Sequence, residues 1–352
     1  MTLRSMTENA GEWLRGAGPH SDVVISSRVR LARNLAGYPF VARANRRHRY
    51  EILEACREQI AAKPLSSNTM FVHLNEASAL NRQLLVERHL ISRQHAAAKN
   101  EVPRGVAVGS DETFAIMVNE EDHLRIQVLR SGMQLTEAFD QINRIDDLLE
   151  ENLEYAYSRR FGYLTACPTN VGTGIRVSVM LHLPGLQLTG EIDKVKRAAR
   201  DMHLAVRGMF GEGSDAQGDL YQVSNQTTLG KSEHEILSDF ENTVVPQIIN
   251  YELQARQALM RDRGPQLDDK IWRAWGTLTH ARVIGTQEVL GLLSHVRLGV
   301  NLGRLEHVDM RTLNELFLLT QPAHLQRLNE EEMDPAARRI ARAQLIRQKL
   351  GR

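Results

Sequence analysis

Apolar and polar positions change character most sharply between residues 114 and 128. Phe114-Ala115-Ile116-Met117-Val118 is an apolar run, Asn119 to His123 is polar, and Leu124-Arg125-Ile126-Gln127-Val128 alternates with period two. The pattern predicts two strands joined by a short acidic turn. Upstream, Val23-Val24-Ile25 opens a strand that leads into Ser26-Ser27-Arg28-Val29-Arg30-Leu31-Ala32-Arg33. Two residues apart on an extended chain, Arg28 and Arg30 project from one face. Helical spacing is expected over 46–62 and 77–90, the latter ending near His89, with a strand over 70–74. A long amphipathic helix is expected from Gln134 to Arg159, where Leu135, Phe139, Ile142, Ile145, Leu148 and Leu149 share a face. Beyond it the pattern predicts a strand over 177–183, a helix over 188–202, an extended stretch over 204–206 and a closing strand over 220–223.

After Ser232 the pattern turns helical, over 233–262, 268–283 and from Gln287 to the C-terminus. Arg263-Gly264-Pro265 is the strongest break signal in this half. The expected architecture is therefore α+β. An antiparallel sheet flanked by helices occupies residues 1–263, and an all-helical domain occupies 264–352.

A chain of 352 residues is long enough for two such domains and a substantial core. A formal net charge of +1 opposes any global nucleic-acid or membrane field. Cys56 and Cys167 are the only cysteines, so neither a disulfide framework nor a cysteine zinc site is expected, and Cys56 falls in an apolar helical pattern. With no signal peptide and no apolar stretch of spanning length, the expected setting is the cytoplasm.

The candidate chemistry lies at strand ends. Arg28, Arg30, Arg125, Arg176 and Arg207 all fall on or beside predicted strands. Arginine is always charged and forks onto phosphate oxygens, so several together replace a glycine loop as a polyphosphate cradle. Such a loop is absent. Asn225-Gln226-Thr227-Thr228-Leu229-Gly230-Lys231-Ser232 ends like a P-loop but begins with asparagine where glycine is required. Phosphoryl transfer needs charge stabilisation, alignment, Mg²⁺ and a carboxylate to position the nucleophile; Glu121 and Glu212 suit the last role.

Ser26-Ser27-Arg28-Val29-Arg30, Asn119-Glu120-Glu121-Asp122-His123-Leu124-Arg125, Cys167-Pro168-Thr169-Asn170 and Arg207-Gly208-Met209-Phe210-Gly211-Glu212 occur in the order seen in the phosphagen (guanidino) kinases, which the chain resembles. The resemblance implies that family's catalytic fold, with ATP and Mg²⁺ as cofactors. It implies that Arg28, Arg30, Arg125, Arg176 and Arg207 hold the ATP phosphates and that His89 packs on adenine. Glu121 and Glu212 would clamp the guanidinium, one as base, with a Cys167 thiolate against it.

Only 25 residues precede Ser26, where metabolite-specific members carry a helical domain of about a hundred residues, a typical small-domain size. That layout is similar to the bacterial protein arginine kinases. It implies protein substrates with exposed arginines, marked for a Clp ATPase and protease, action on a heat-shock repressor, and a zinc-binding activator protein. A kinase for a small guanidino metabolite and a non-catalytic adaptor are the competing readings. The same resemblance implies a symmetric dimer; the stripe Leu290, Leu292, Leu293, Val296 and Leu298 exceeds one helical face and would be covered by a partner or by its own chain. It also implies a C-terminal phosphoarginine site at Arg338 and Arg342, with Arg339 where the motif has an acid and Asp334 or Glu332 as possible substitutes.

Overall fold

The computed structural model describes residues 5–8, 10–97, 102–209, 217–329 and 332–351. Its centre is an eight-stranded antiparallel sheet in the order β2-β3-β4-β5-β1-β8-β10-β9. These strands are β1 (Val24–Arg33), β2 (Thr69–His73), β3 (Gly105–Gly109), β4 (Phe114–Val118), β5 (Leu124–Ser131), β8 (Ile175–His182), β9 (Leu204–Gly208) and β10 (Leu220–Asn225); β6 (Tyr157–Ser158) and β7 (Gly162–Tyr163) form a separate ribbon. The hairpin read around the acidic turn is β4–β5, in the register Val118↔Leu124 and Phe114↔Val128.

Period-two alternation divides the sheet into two unlike faces. Val29 and Leu31, Ile126 and Val128, Val177 and Val179, and Tyr221 and Val223 enter one continuous core. It is covered by helices α1 (Arg46–Ala62), α4 (Leu135–Glu150), α5 (Pro184–Thr189), α6 (Ile192–Asp201), α7 (Glu233–Asp239) and the start of α8 (Val245–His280). Among the described residues the opposite face is covered only at its margins. Helix α2 (Ala79–Glu87), followed by the short α3 (Arg93–Ala97), packs over Val106, Ala115 and Met117 at one margin. At the other, α9 (Thr286–Asn301), α10 (Met310–Leu319) and α12 (Pro335–Lys349) pack over Ile25, Leu129 and Met180, with α11 (Pro322–Leu328) beside α2. Arginines line the gap between.

Several local expectations are corrected. The helix read as 134–159 stops at Glu150, because Tyr155 pairs with Leu35 and the chain then turns into the β6–β7 ribbon. The helix read as 188–202 is two, divided at Gly190, whose left-handed φ of 78° caps α5. Arg263-Gly264-Pro265 does not end a helix: α8 runs through it with a kink at Arg263, since Pro265 has no N–H and its ring crowds the preceding turn. The 290–298 stripe is satisfied within its own chain, with Leu290, Leu293, Val296 and Leu298 fully buried and Leu292 packed beside them. It therefore gives no support to a dimer. Cys56 is core as expected, and burial pushes its thiol up to about 12.

Polar ties join the helical region to the sheet. Arg297 of α9 is fully buried, donating to the carbonyls of Ser21 at 2.6 Å and Asp22 at 3.0 Å and to His182 Nδ1 at 2.7 Å. Burial, and Arg256 nearby, lower it to about 9. Arg297→Leu strands these acceptors without water, so urea unfolding followed by circular dichroism should show a loss of about 3 kcal/mol. An unchanged midpoint would show that the two regions do not depend on this tie.

Candidate active site

The sheet register gathers the sequence-predicted arginines. Arg28 faces Ser178 across β1–β8, Arg30 lies directly opposite both Arg176 and Gln127, Ala32 opposes Arg125, and Arg207 of β9 opposes Gln222. Directly opposed residues of an antiparallel pair share a face, so five guanidinium groups from four strands stand on one side of the sheet. They line a cleft of about 470 Å³ together with His89, Glu120, Glu121 and Cys167. Arg28 Nε donates to Ser178 Oγ at 3.3 Å, and Arg176 reaches Ser224 Oγ through Nε at 3.3 Å and Nη2 at 3.0 Å. Among the described residues no carboxylate lies within ion-pair distance of Arg28 or Arg30. Burial, and then Arg176, Arg125 and Arg207, lower Arg28 to about 10; burial, then Arg28 and Arg176, also lower Arg30. Cations crowded in this way favour a multivalent anion.

The acidic turn divides its residues between scaffolding and chemistry. Asn119 adopts a left-handed φ of 61°, which asparagine tolerates, and its side-chain N–H groups reach the carbonyls of Arg49 and Pro103. His123 is a buried structural ring: Leu35 N–H donates to Nδ1 at 2.9 Å, so Nε2–H donates to the Pro39 carbonyl at 3.1 Å. Asp122 Oδ1 accepts from Asn34 Nδ2 and from Ala166 N–H at 2.8 Å, which ties the turn to the loop carrying Cys167. Glu120, absent from the sequence-based candidates, pairs with Arg125 at 2.7 Å and accepts from the Ser92 hydroxyl. Burial opposes its ionisation, but Arg125 and Ser92 prevail and hold it below the ordinary carboxylate range.

Glu121 is different. It pairs with the other arm of Arg125, yet its carboxyl remains 41% exposed toward the cleft. Burial raises it above the ordinary glutamate range, with Asp122 and Glu120 adding to the effect of burial against Arg125 and Arg30. A cleft-facing carboxylate with raised basicity is suited to receive a proton.

Cys167 is half-buried at the entry to a single helical turn, Pro168–Asn170, with Sγ 3.0 Å from Thr169 Oγ1. His89 projects from the left-handed residue after α2 and meets the edge of Trp13, their ring centroids 4.5 Å apart. Burial, then Arg28 and Arg93, lower it to about 3, so it enters the cleft neutral. Arg93 is a further cation of the lining; it follows His89 by four residues, a spacing that carries no motif of its own. Glu212 lies outside the described residues. The P-loop lookalike is spent on structure, since Ser232 forms a capping box with Glu235 and Lys231 pairs with Asp239.

At the C-terminal pair the outcome is mixed. Arg338 is half-buried, donating to the Met333 carbonyl at 2.9 Å. Arg342 is buried, with Nε on the Thr320 carbonyl and Nη1 on that of Ile284. Its guanidinium joins helices, and burial, Arg338 and Arg339 lower its pKa. Asp334 accepts from Ala337 N–H through Oδ1 as the cap of α12, and Glu332 is exposed just before it.

Residues 51–255 match the model of the ATP:guanido phosphotransferase C-terminal catalytic domain, and residues 264–352 match that of the protein-arginine kinase McsB C-terminal domain. A protein-arginine kinase of Halothermothrix orenii is 44% identical over 351 residues, covering 99% of each chain. The chain belongs to the protein-arginine kinases of the ATP:guanido phosphotransferase family. A protein-arginine kinase of Symbiobacterium thermophilum is 46% identical over 341 residues, 96% of each chain. Among solved structures, a lombricine kinase matches at a TM-score of 0.58 and 27% identity, over 68% of this chain and 67% of that one. A duplicated taurocyamine kinase of Schistosoma mansoni matches at 0.61 over 69% of this chain and 34% of that one; at 24% identity it speaks for the fold alone. This is the expected catalytic architecture, an antiparallel sheet flanked by helices followed by a helical C-terminal region. No helix among the described residues is long and apolar enough to cross a membrane.

The crowded cations generate a test specific to this family. Arg30→Met removes a half-buried like charge while keeping an apolar stem, so the ligand-free protein should melt about 3 °C higher. The stabilisation that ATP confers, ~2.7 kcal/mol at a hundredfold excess over Kd, should shrink. A lower ligand-free midpoint with the ATP effect intact would show that Arg30 is structural.

Proposed function

We propose that this protein transfers the γ-phosphoryl group of ATP to arginine side chains of proteins. The observation that carries the reading is the meeting, in one cleft, of the sheet-face arginines with the Glu120–Glu121 turn. The names of its relatives support a protein acceptor.

In this reading Arg28, Arg30, Arg125, Arg176 and Arg207 neutralise the phosphates and hold them in line, and His89 lies against the base. Mg²⁺ held by the nucleotide's own phosphates would supply further positive charge opposite the transferring group, since among the described residues no cluster of carboxylates and histidines could hold a metal. A guanidinium nitrogen bonds to the γ-phosphorus as the bond to the ADP oxygen breaks, and Glu121 takes the proton released. Glu212 belongs to the same clamp by motif, and Cys167 lies beside the guanidinium. The finer expectations join the proposal on the strength of the resemblance alone. These are marking for Clp-type proteolysis, action on a heat-shock repressor, a zinc-binding activator, a homodimer, phosphoarginine recognition through Arg338 and Arg342, cytoplasmic residence, and a division into 1–263 and 264–352.

Mass spectrometry of an unfolded acceptor protein, worked up without acid, should reveal phosphoarginine, with free arginine a poor acceptor offered alongside. Phosphorylation of free arginine only would overturn the reading. Glu121→Gln should lower turnover about 10³-fold while ATP still binds, and near-normal turnover would remove Glu121 from the chemistry. Arg125→Lys keeps the charge but loses the fork that spans two carboxylates and phosphate, so nucleotide affinity should fall about tenfold. Because the base form of Glu121 is required and its pKa is raised, kcat/KM should be lost on acidification at a pH above the ordinary glutamate range. An acid limb at or below that range would argue against this base.

A further inference from the structure

Four ionisable side chains outside the cleft form a buried group where helical α11 meets α2. Glu87, Arg88 and His324 are fully buried and Glu112 nearly so. Glu87 caps the first turn of α11 from outside: its carboxylate accepts from Ala323 N–H at 2.9 Å, His324 N–H at 3.0 Å and His324 Nδ1 at 2.8 Å. Arg88 forks onto Glu112 at 2.8 and 2.7 Å and places Nη1 3.1 Å from His324 Nε2. Arginine can only donate, so Nε2 must be the bare nitrogen and Nδ1 carries the proton toward Glu87. The ring thus bridges an anion and a cation in one tautomer, and both partners come from consecutive residues at the end of α2.

The next residue is His89. It occupies the left-handed position of a helix-terminating motif, with its own N–H on the Val86 carbonyl and that of Leu90 on Leu85, both at 3.0 Å. Glycine is usual there, and a side chain in this conformation is strained. Such strain persists only where neighbours over-determine the backbone. Arg88 grips from one side; on the other, Gln127 Nε2 donates to the His89 carbonyl at 2.7 Å and Trp13 stands against the ring. The N-terminal segment closes over the ion pair, since a Cβ on Gly11 would lie 2.7 Å from Glu112 Oε2. Helix α11 is itself secured by Arg342 of α12, whose Nε holds the Thr320 carbonyl two residues before Pro322.

We propose that His324 is a positioning residue for the nucleotide cleft: by holding Arg88 it keeps His89 in the strained conformation that turns its ring toward the nucleotide. The helical C-terminal region is thereby a working part of the nucleotide site although none of its described residues lines it. The inference rests on the nucleotide occupying the cleft as proposed above.

Calorimetric titration of the full chain with Mg-ATP tests it. His324→Leu keeps the volume and removes both contacts, so ATP affinity should fall about tenfold, while turnover at saturating ATP stays within about twofold. His324→Gln offers an acceptor near the Nε2 position and should recover most of the affinity. His324→Asn offers only a donor near Nδ1 and should not. His89→Ala should cost as much as His324→Leu, and the double variant no more than His89→Ala, because one change acts through the other. Equal behaviour of the Gln and Asn variants, additive losses, or unchanged ATP affinity in His324→Leu would overturn this inference alone. Where His324→Leu fails to fold, the Gln–Asn comparison decides. Absence of ATP binding by the unaltered protein would overturn the reading of the cleft, and this inference with it.

Discussion

Mutual repulsion among the guanidinium groups on one face of the sheet is the constraint around which the rest is arranged. Arg30 stands directly opposite Arg176 in the register, and Arg28 lies one pleat away. Like charges opposed across strands destabilise a sheet, and burial compounds the cost. The fold tolerates this because the other face carries one continuous apolar core, and because the described residues cover the arginine face only at its margins. The gap that remains is the cleft. Its shape and its demand for an anion have the same origin.

The acidic turn answers that charge without cancelling it. Asn119, Asp122 and His123 spend their polar atoms on the backbone and on neighbouring loops, which fixes the turn against the Cys167 loop. Glu120 and Glu121 each take one arm of Arg125, and of the two Glu121 stays partly open to the cleft. Two adjacent glutamates thus acquire opposite characters from their surroundings, one ionised and occupied, the other of raised basicity and available.

The helical region does more than follow the catalytic sheet. Arg297 ties α9 to the chain before β1, and Glu87, Arg88 and His324 tie α11 to the end of α2. Helix α8 passes from one region to the other with only a kink at Arg263. These links are polar and buried, so they specify one relative placement and tolerate little change, as buried charged groups cost most when a partner is lost.

The sequence alone determined the strands of the arginine face and the sharing of that face by Arg28 and Arg30, because alternation with period two is a property of adjacent residues. It determined the β4–β5 hairpin around the acidic turn for the same reason, and motif order identified the family. Only tertiary structure decided which residues oppose one another across strands. That pairing makes Glu120 the partner of Arg125, sets Arg30 against Arg176, and brings Ser92 and Arg93 to the cleft, none of which has a local signal. Long-range contacts also ended α4 early at the Leu35–Tyr155 bridge, buried the apolar stripe of α9 within its own chain, and turned Arg342 inward to two carbonyls. An apolar stripe or a basic helix face reads the same whether it meets solvent, a partner or its own chain, since periodicity records the side of an element and not what covers it.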